Sequence, residues 1–188
     1  MLNNLRDSLK PALQKIGKSF AATGLSPNVF TTIGLIFAFI TSIIYGIGFE
    51  YSLILGGIAL LVSGFFDIVD GQVARYTNKI SKSGGFLDSV FDKIAEVAIF
   101  FGILLGNHAD PYLIIIAIIL SLLVSYIRAI ADSLKIKLQG VGIGERAERL
   151  LVIAIIGIIG FMEIAMIIVI IIAGITLVQR IAVIYRNK

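Results

Sequence analysis

The chain contains no cysteine, no tryptophan, one histidine and three prolines in 188 residues. Without cysteine, neither a disulfide nor a thiolate metal site can form. With His108 as the single imidazole, catalysis by a histidine base is disfavoured. Any metal must be held by carboxylates, which selects hard cations such as Mg²⁺, Mn²⁺ or Ca²⁺. Charge is scarce as well, with Asp, Glu, Lys and Arg together making 15% of the chain. The N-terminus is basic and amphipathic. It lacks the short apolar core and small-residue cleavage site of a signal peptide, so none is expected.

Hydrophobicity is what the chain has in excess. Apolar residues make up 58% of it, and the mean hydropathy is +1.01, whereas a soluble domain is about half apolar. The excess falls in long runs, which places the protein in a bilayer. Spanning segments are expected near 27–48, 52–76, 83–106, 111–137, 146–162 and 163–185, the last two joined by a tight turn near Phe161–Glu163. Ahead of them, Leu2, Leu5, Leu9, Leu13, Ile16 and Phe20 recur at helical spacing among Arg6, Lys10, Lys15 and Lys18. That pattern suits a helix lying on the membrane surface with its basic residues toward anionic headgroups, and Pro11 is expected to kink it. The expected fold is therefore all-α. A surface helix over residues 1–22 precedes a membrane domain of six transmembrane helices over residues 23–188.

Charge sets the expected orientation. With six spans both termini lie on one side, and all sixteen Lys and Arg fall on that side or near that end of a helix. The opposite loops carry Glu50, His108, Asp110 and Glu163 and no Lys or Arg. The positive-inside rule then puts both termini in the cytoplasm of a multi-pass cell-membrane protein.

The acids are clustered. Asp67 and Asp70 lie near the cytoplasmic end of the second span, and Asp88 and Asp92 near the start of the third. Spacings of three and four put each pair on one helix face. A short connection makes the two helices candidate antiparallel neighbours, so four carboxylates converge at the membrane boundary. Unpaired, they would repel one another and be costly to desolvate. Arg75 and Lys93 can offset two; a pair of divalent cations offsets all four and suits oxygen ligands. Two such ions are an effective arrangement for phosphoryl chemistry, because they clamp the attacking and leaving oxygens. Gly71, Ala74 and Gly84 lie beside the acids and let a ligand approach the backbone.

Written out, the stretch is Asp67-x-x-Asp70-Gly71-x-x-Ala74-Arg75, then Gly84, Asp88 and Asp92. It resembles the signature of the CDP-alcohol phosphotransferases at all eight positions, with the spacing intact. The resemblance implies displacement of CMP from a CDP-linked lipid by an alcohol. It implies that Asp67, Asp70 and Asp88 are metal ligands for Mg²⁺ or Mn²⁺. Asp92 is implied to complete the metal site and deprotonate the acceptor hydroxyl. Gly71, Ala74 and Gly84 are implied to accommodate the cytidine nucleotide, and Arg75 to support the acids and the diphosphate. Asn28 and Thr31 resemble the segment that opens the first span near the nucleotide.

The acceptor is read from other residues. Arg128, Arg146 and Arg180 can converge on one cytoplasmic pocket, where three guanidiniums favour a phosphate. The runs Ser125-Tyr126-Ile127-Arg128-Ala129 and Glu145-Arg146-Ala147-Glu148-Arg149 resemble the inositol-phosphate branch of the family. There these runs frame the acceptor phosphate. Two positions depart from that branch: Ile130 replaces a common second arginine, and Asp132 a more usual glutamate. The expected partners are CDP-archaeol or CDP-diacylglycerol as donor, inositol phosphate as acceptor, membrane lipid and no nucleic acid. The glycine-rich later spans suggest a homodimer. Glycerol phosphate or serine as acceptor, CDP-inositol as donor, and a cation carrier are the alternatives.

Overall fold

The computed structural model describes residues 2–79, 81–138 and 140–186, with side chains from Pro11 onward. All regular structure among the described residues is helical: α1 (Leu2–Ala21), α2 (Pro27–Ile47), α3 (Ser52–Tyr76), α4 (Lys82–Leu105), α5 (Pro111–Ser133), α6 (Arg146–Ile158) and α7 (Met162–Arg186). The boundaries follow local chemistry. Pro27 and Pro111 open α2 and α5, where a missing N–H costs nothing. The Ser81 hydroxyl accepts the Gly84 N–H at 3.0 Å at the start of α4, and Asp110 Oδ1 accepts the Tyr112 N–H at 2.8 Å at the start of α5.

Four helices, α2, α3, α5 and α7, are long and apolar enough to cross a membrane. The protein is an all-α, multi-pass membrane protein. The other two expected spans differ for separate reasons. α4 has the length but carries Asp88, Asp92, Lys93 and Glu96. α6 is shorter than expected, 13 residues ending at Ile158, or about 20 Å at 1.5 Å per residue. Gly160, at φ 92°, turns the chain into α7.

Small residues bring the helices together, as they do where lipid supplies no hydrophobic drive between helices. Gly102 of α4 faces the Ser42 backbone of α2, and a Cβ there would collide with it. Gly34 of α2 lies against α3, where the buried Ser63 hydroxyl donates to the Gly34 carbonyl at 2.8 Å. Gly57 of α3 meets Ala154 and Ile158 of α6. One correction follows for the acid-bearing helices. α3 and α4 do not make their main packing with each other; α2 packs against both, and α6 packs on α3. The short connection holds them near, and α2 packs along both.

α1 runs on through Pro11. The side chains of Leu2, Leu5, Leu9, Arg6 and Lys10 lie outside the described residues. Its second half docks on the bundle: Ile16 and Phe20 join the cluster around Phe30, Val69 and Val73. The Phe20 ring meets Phe30 edge-on at 5.6 Å.

Candidate active site

The acids of α3 and α4 meet beside the start of α6. Asp67, Asp88 and Asp92 each offer a carboxylate oxygen, and the three oxygens lie within 4.8 Å of one another. Asp70, 6% exposed, stands outside this triad, and its buried Oδ2 has no hydrogen-bond partner. The neutralising cation is not one of those expected. Arg146, from the first turn of α6, puts Nη1 at 2.7 Å from Asp92 Oδ1 and 3.0 Å from Asp67 Oδ1. Arg75 is exposed and makes no ion pair with the four acids among the described residues. Lys93 turns to Glu96, at 4.0 Å.

Two clefts flank the acids. The first is a groove of about 130 Å³ lined by Asn28, Thr31, Asp70, Gly71, Ala74 and Gly84, together with Pro27, Lys79, Ser81, Gly85 and Asp88. Every residue expected to hold the nucleotide is there except Asp67 and Arg75. A Cβ on Gly84 would lie 2.9 Å from the Ser81 hydroxyl and 3.4 Å from Asn28 Oδ1, so glycine keeps this wall low. The second is a larger cavity of about 660 Å³, lined by Asp88, Asp92, Lys93, Ser125, Arg128, Asp132, Glu145, Arg146, Arg149 and Arg180 among others. Asp88 belongs to both walls.

The three arginines share this cavity but differ in freedom. Arg128 is exposed and makes no ion pair among the described residues. Arg146 is held by the acids. Arg180 is 2% exposed; its Nε and Nη1 donate to the Val141 and Val124 carbonyls at 3.1 and 2.7 Å. Glu145 lies 3.8 Å from its Nη2. Ile130, where an arginine was the alternative, lines a separate apolar recess with Ile127, Ile181, Ile184 and Tyr185. Its lack of charge takes nothing from the cavity wall.

The segment that delivers Arg146 is tightly tied. The Gly144 and Ile143 N–H groups donate to the Thr176 hydroxyl at 2.8 and 3.2 Å. Gly142 sits at φ 111° against Thr176, where a Cβ would collide. The Glu145 N–H donates to Glu148 Oε2 at 2.8 Å, capping α6. Sequence reasoning missed the Glu96–Arg149 pair one turn deeper. Its signal was present, since Glu96 follows Asp92 by four residues and Arg149 follows Arg146 by three.

Apolar helices that gather carboxylates between two polar clefts define a multi-pass membrane enzyme with an acidic centre. Residues 24–179 match the CDP-alcohol phosphatidyltransferase family, and the chain belongs to that family. It is 37% identical to the archaetidylinositol phosphate synthase of Pyrococcus horikoshii, over 96% of this chain and 95% of the relative. It is 32% identical to the phosphatidylinositol phosphate synthase of Cutibacterium acnes, over 81% of this chain and 75% of the relative. The crystal structure of the Mycobacterium tuberculosis phosphatidylinositol phosphate synthase with CDP-DAG bound superposes with a TM-score of 0.78 at 25% identity, covering 92% of this chain and 93% of that one. The same enzyme in complex with manganese and citrate gives a TM-score of 0.78 as well.

Proposed function

We propose that the protein transfers a phosphatidyl-type group from a CDP-linked lipid, CDP-archaeol or CDP-diacylglycerol, to inositol phosphate, releasing CMP. The observation that carries this reading is the arrangement of two clefts with Asp88 in the wall of both. One cleft is floored by glycine and alanine, as a nucleotide diphosphate needs. The other is lined by Arg128, Arg146 and Arg180, as a phosphorylated alcohol needs. The names of the relatives support the same acceptor.

In this reading the CDP group lies along Gly71, Ala74 and Gly84, with Asn28 and Thr31 at its side and Arg75 toward the diphosphate. The acceptor phosphate sits on Arg128 and Arg146, with Ser125 as a further donor and Arg180 as the rigid back wall. Asp92 lines the acceptor cavity. It takes the proton of the attacking hydroxyl as the new O–P bond forms and the bond to CMP breaks. Asp67, Asp70, Asp88 and Asp92 suit a pair of divalent cations: all donors are oxygens, three converge, and the buried Asp70 Oδ2 lacks a partner. When bound, such ions supply neutralisation of the diphosphate charge during transfer.

The domain behaves as one membrane unit over residues 23–188. α4 and α6 complete six crossings, α1 is a surface helix, and the site and both termini face the cytoplasm, on the basic side of the chain. The lipid tails reach the groove sideways from the bilayer, and the acceptor arrives from water. Two copies pair through the small-residue faces of the later spans; the mass of the purified protein in detergent tests this.

The experiment is a competition panel. Purified protein with Mn²⁺ or Mg²⁺ is given each CDP-lipid together with inositol phosphate, glycerol phosphate, serine or free inositol, and CMP release is measured. Release with inositol phosphate alone is expected. Equal release with serine or free inositol would overturn the phosphate-binding role of the arginines. Full activity in Asp88→Asn and Asp92→Asn would overturn the mechanism.

A further inference from the structure

One turn below the acidic centre, α4 and α6 are joined a second time. Arg149 Nη2 and Nε donate to Glu96 Oε1 at 2.6 and 3.2 Å. Nη1 donates to the Gly144 carbonyl at 2.6 Å, and Nη2 also reaches the Ser121 carbonyl of α5 at 3.4 Å. The two side chains are 0% and 1% exposed. Glu96 Oε2 is buried without a hydrogen-bond partner. The upper pair, Arg146 with Asp92, lies on the same two helices in the same register.

Stability alone does not account for such a pair, because well-packed apolar side chains of similar volume would hold α4 to α6 about as firmly. What they do less sharply is fix axial position. An apolar contact tolerates small shifts along a helix, whereas a guanidinium directed at three partners on α4, α5 and the segment before α6 does not. Gly144, held by Arg149 at its carbonyl and by Thr176 at its N–H, lies two residues before Arg146.

We propose that Glu96 and Arg149 are positioning residues: the pair sets the register of α6 against α4 and so places the Arg146 guanidinium between the acids and the acceptor cavity. Arg149 edges the acceptor cavity, but its guanidinium is engaged by Glu96, Gly144 and Ser121, so the pair acts through Arg146. Mn²⁺ affinity is the readout that a direct contact of Arg149 with the acceptor would not move. The inference rests on the phosphorylated-acceptor reading above, so its test includes a readout that does not need the acceptor.

The decisive variant is the double substitution Glu96→Leu with Arg149→Met, which removes the pair without leaving a buried charge. Three measurements are made on the purified protein: thermal midpoint, KM for acceptor and donor with kcat, and Mn²⁺ affinity without substrate. A melting midpoint close to wild type is expected, with the acceptor KM raised about tenfold or more and the donor KM unchanged. Loosening Arg146 also frees Asp67 and Asp92, so Mn²⁺ affinity is expected to rise several-fold. A folded double variant with wild-type acceptor KM and wild-type Mn²⁺ affinity overturns the proposal. Should the double variant fail to fold, Arg149→Lys decides in the same way, because it keeps the charge and loses the fork. If the wild-type protein turns over no phosphorylated acceptor, the functional reading fails, and Mn²⁺ affinity alone decides the positioning role.

Discussion

Asp92 and Arg146 lie 2.7 Å apart, and their chemistry separates cleanly by measurement. An Asp92→Asn protein keeps the shape of the site and loses the proposed base. Its kcat is expected to fall about 10²–10⁴-fold, the usual contribution of a positioned general base, with the donor KM little changed. In the proposed reaction Arg146 has two tasks. Replacing it with alanine removes a charge-assisted contact to the acceptor phosphate, worth about 1.5–3 kcal/mol, so the acceptor KM is expected to rise roughly 10–100-fold. The same change uncovers Asp67 and Asp92. Titration of the substrate-free protein with Mn²⁺ is expected to show tighter binding than wild type, and unchanged or weaker binding would refute the competition. At this scale the acids were legible because four carboxylates in an apolar chain have few uses. Arg146 was legible as a cation of the site but not as the partner of Asp67. Contacts between residues 79 positions apart depend on where helices cross, which no local pattern states. Arg75 shows the reverse: its place in the motif was plain, while its exposed position away from the acids was not.

The helices themselves were readable from runs of apolar residues, and the structure adds Pro27, Pro111, Ser81 and Asp110 at their starts. The start of α6 at Arg146 followed from the Glu-Arg run. Its end did not, because the residues on both sides of Gly160 are equally apolar and only the backbone turn marks the boundary. The packing of α2 on both α3 and α4 was hidden for a related reason. It is encoded by single glycines, and glycine is ordinary in membrane helices. Gly102 carries a testable consequence. A side chain there meets the Ser42 backbone, which cannot rotate away. Gly102→Val is therefore expected to cost about 1–3 kcal/mol as an overpacked contact, read as a lowered thermal midpoint in detergent. The loss of activity should follow the loss of fold, with KM values unchanged in the folded fraction. Gly174 has nothing within 4 Å of its would-be Cβ. Gly174→Ala in α7 is the control, and it is expected to leave the midpoint of a monomer in place.

For the whole molecule the decisive property is the asymmetry of charge across the bundle. The loops joining α2 to α3, α4 to α5 and α6 to α7 hold no lysine or arginine, while the described lysines and arginines fall at or near the opposite end of their helices. That end also holds the acidic centre and both clefts. A soluble phosphorylated acceptor exists where the cell makes it, so a site on the basic side must face the cytoplasm if the positive-inside rule governs insertion. The chain's lack of cysteine turns this into a clean measurement. Glu50→Cys and Lys137→Cys each introduce a single thiol at an exposed position on opposite ends of the bundle. On intact cells a membrane-impermeant maleimide is expected to label Glu50→Cys and to spare Lys137→Cys until the membrane is opened. The reverse pattern would place the clefts outside the cell and remove the acceptor from their reach. Labelling of both in intact cells would mean that α3, α4 and α5, the helices between the two thiols, cross an even number of times, and the crossing assigned to the charge-bearing α4 would fall with it.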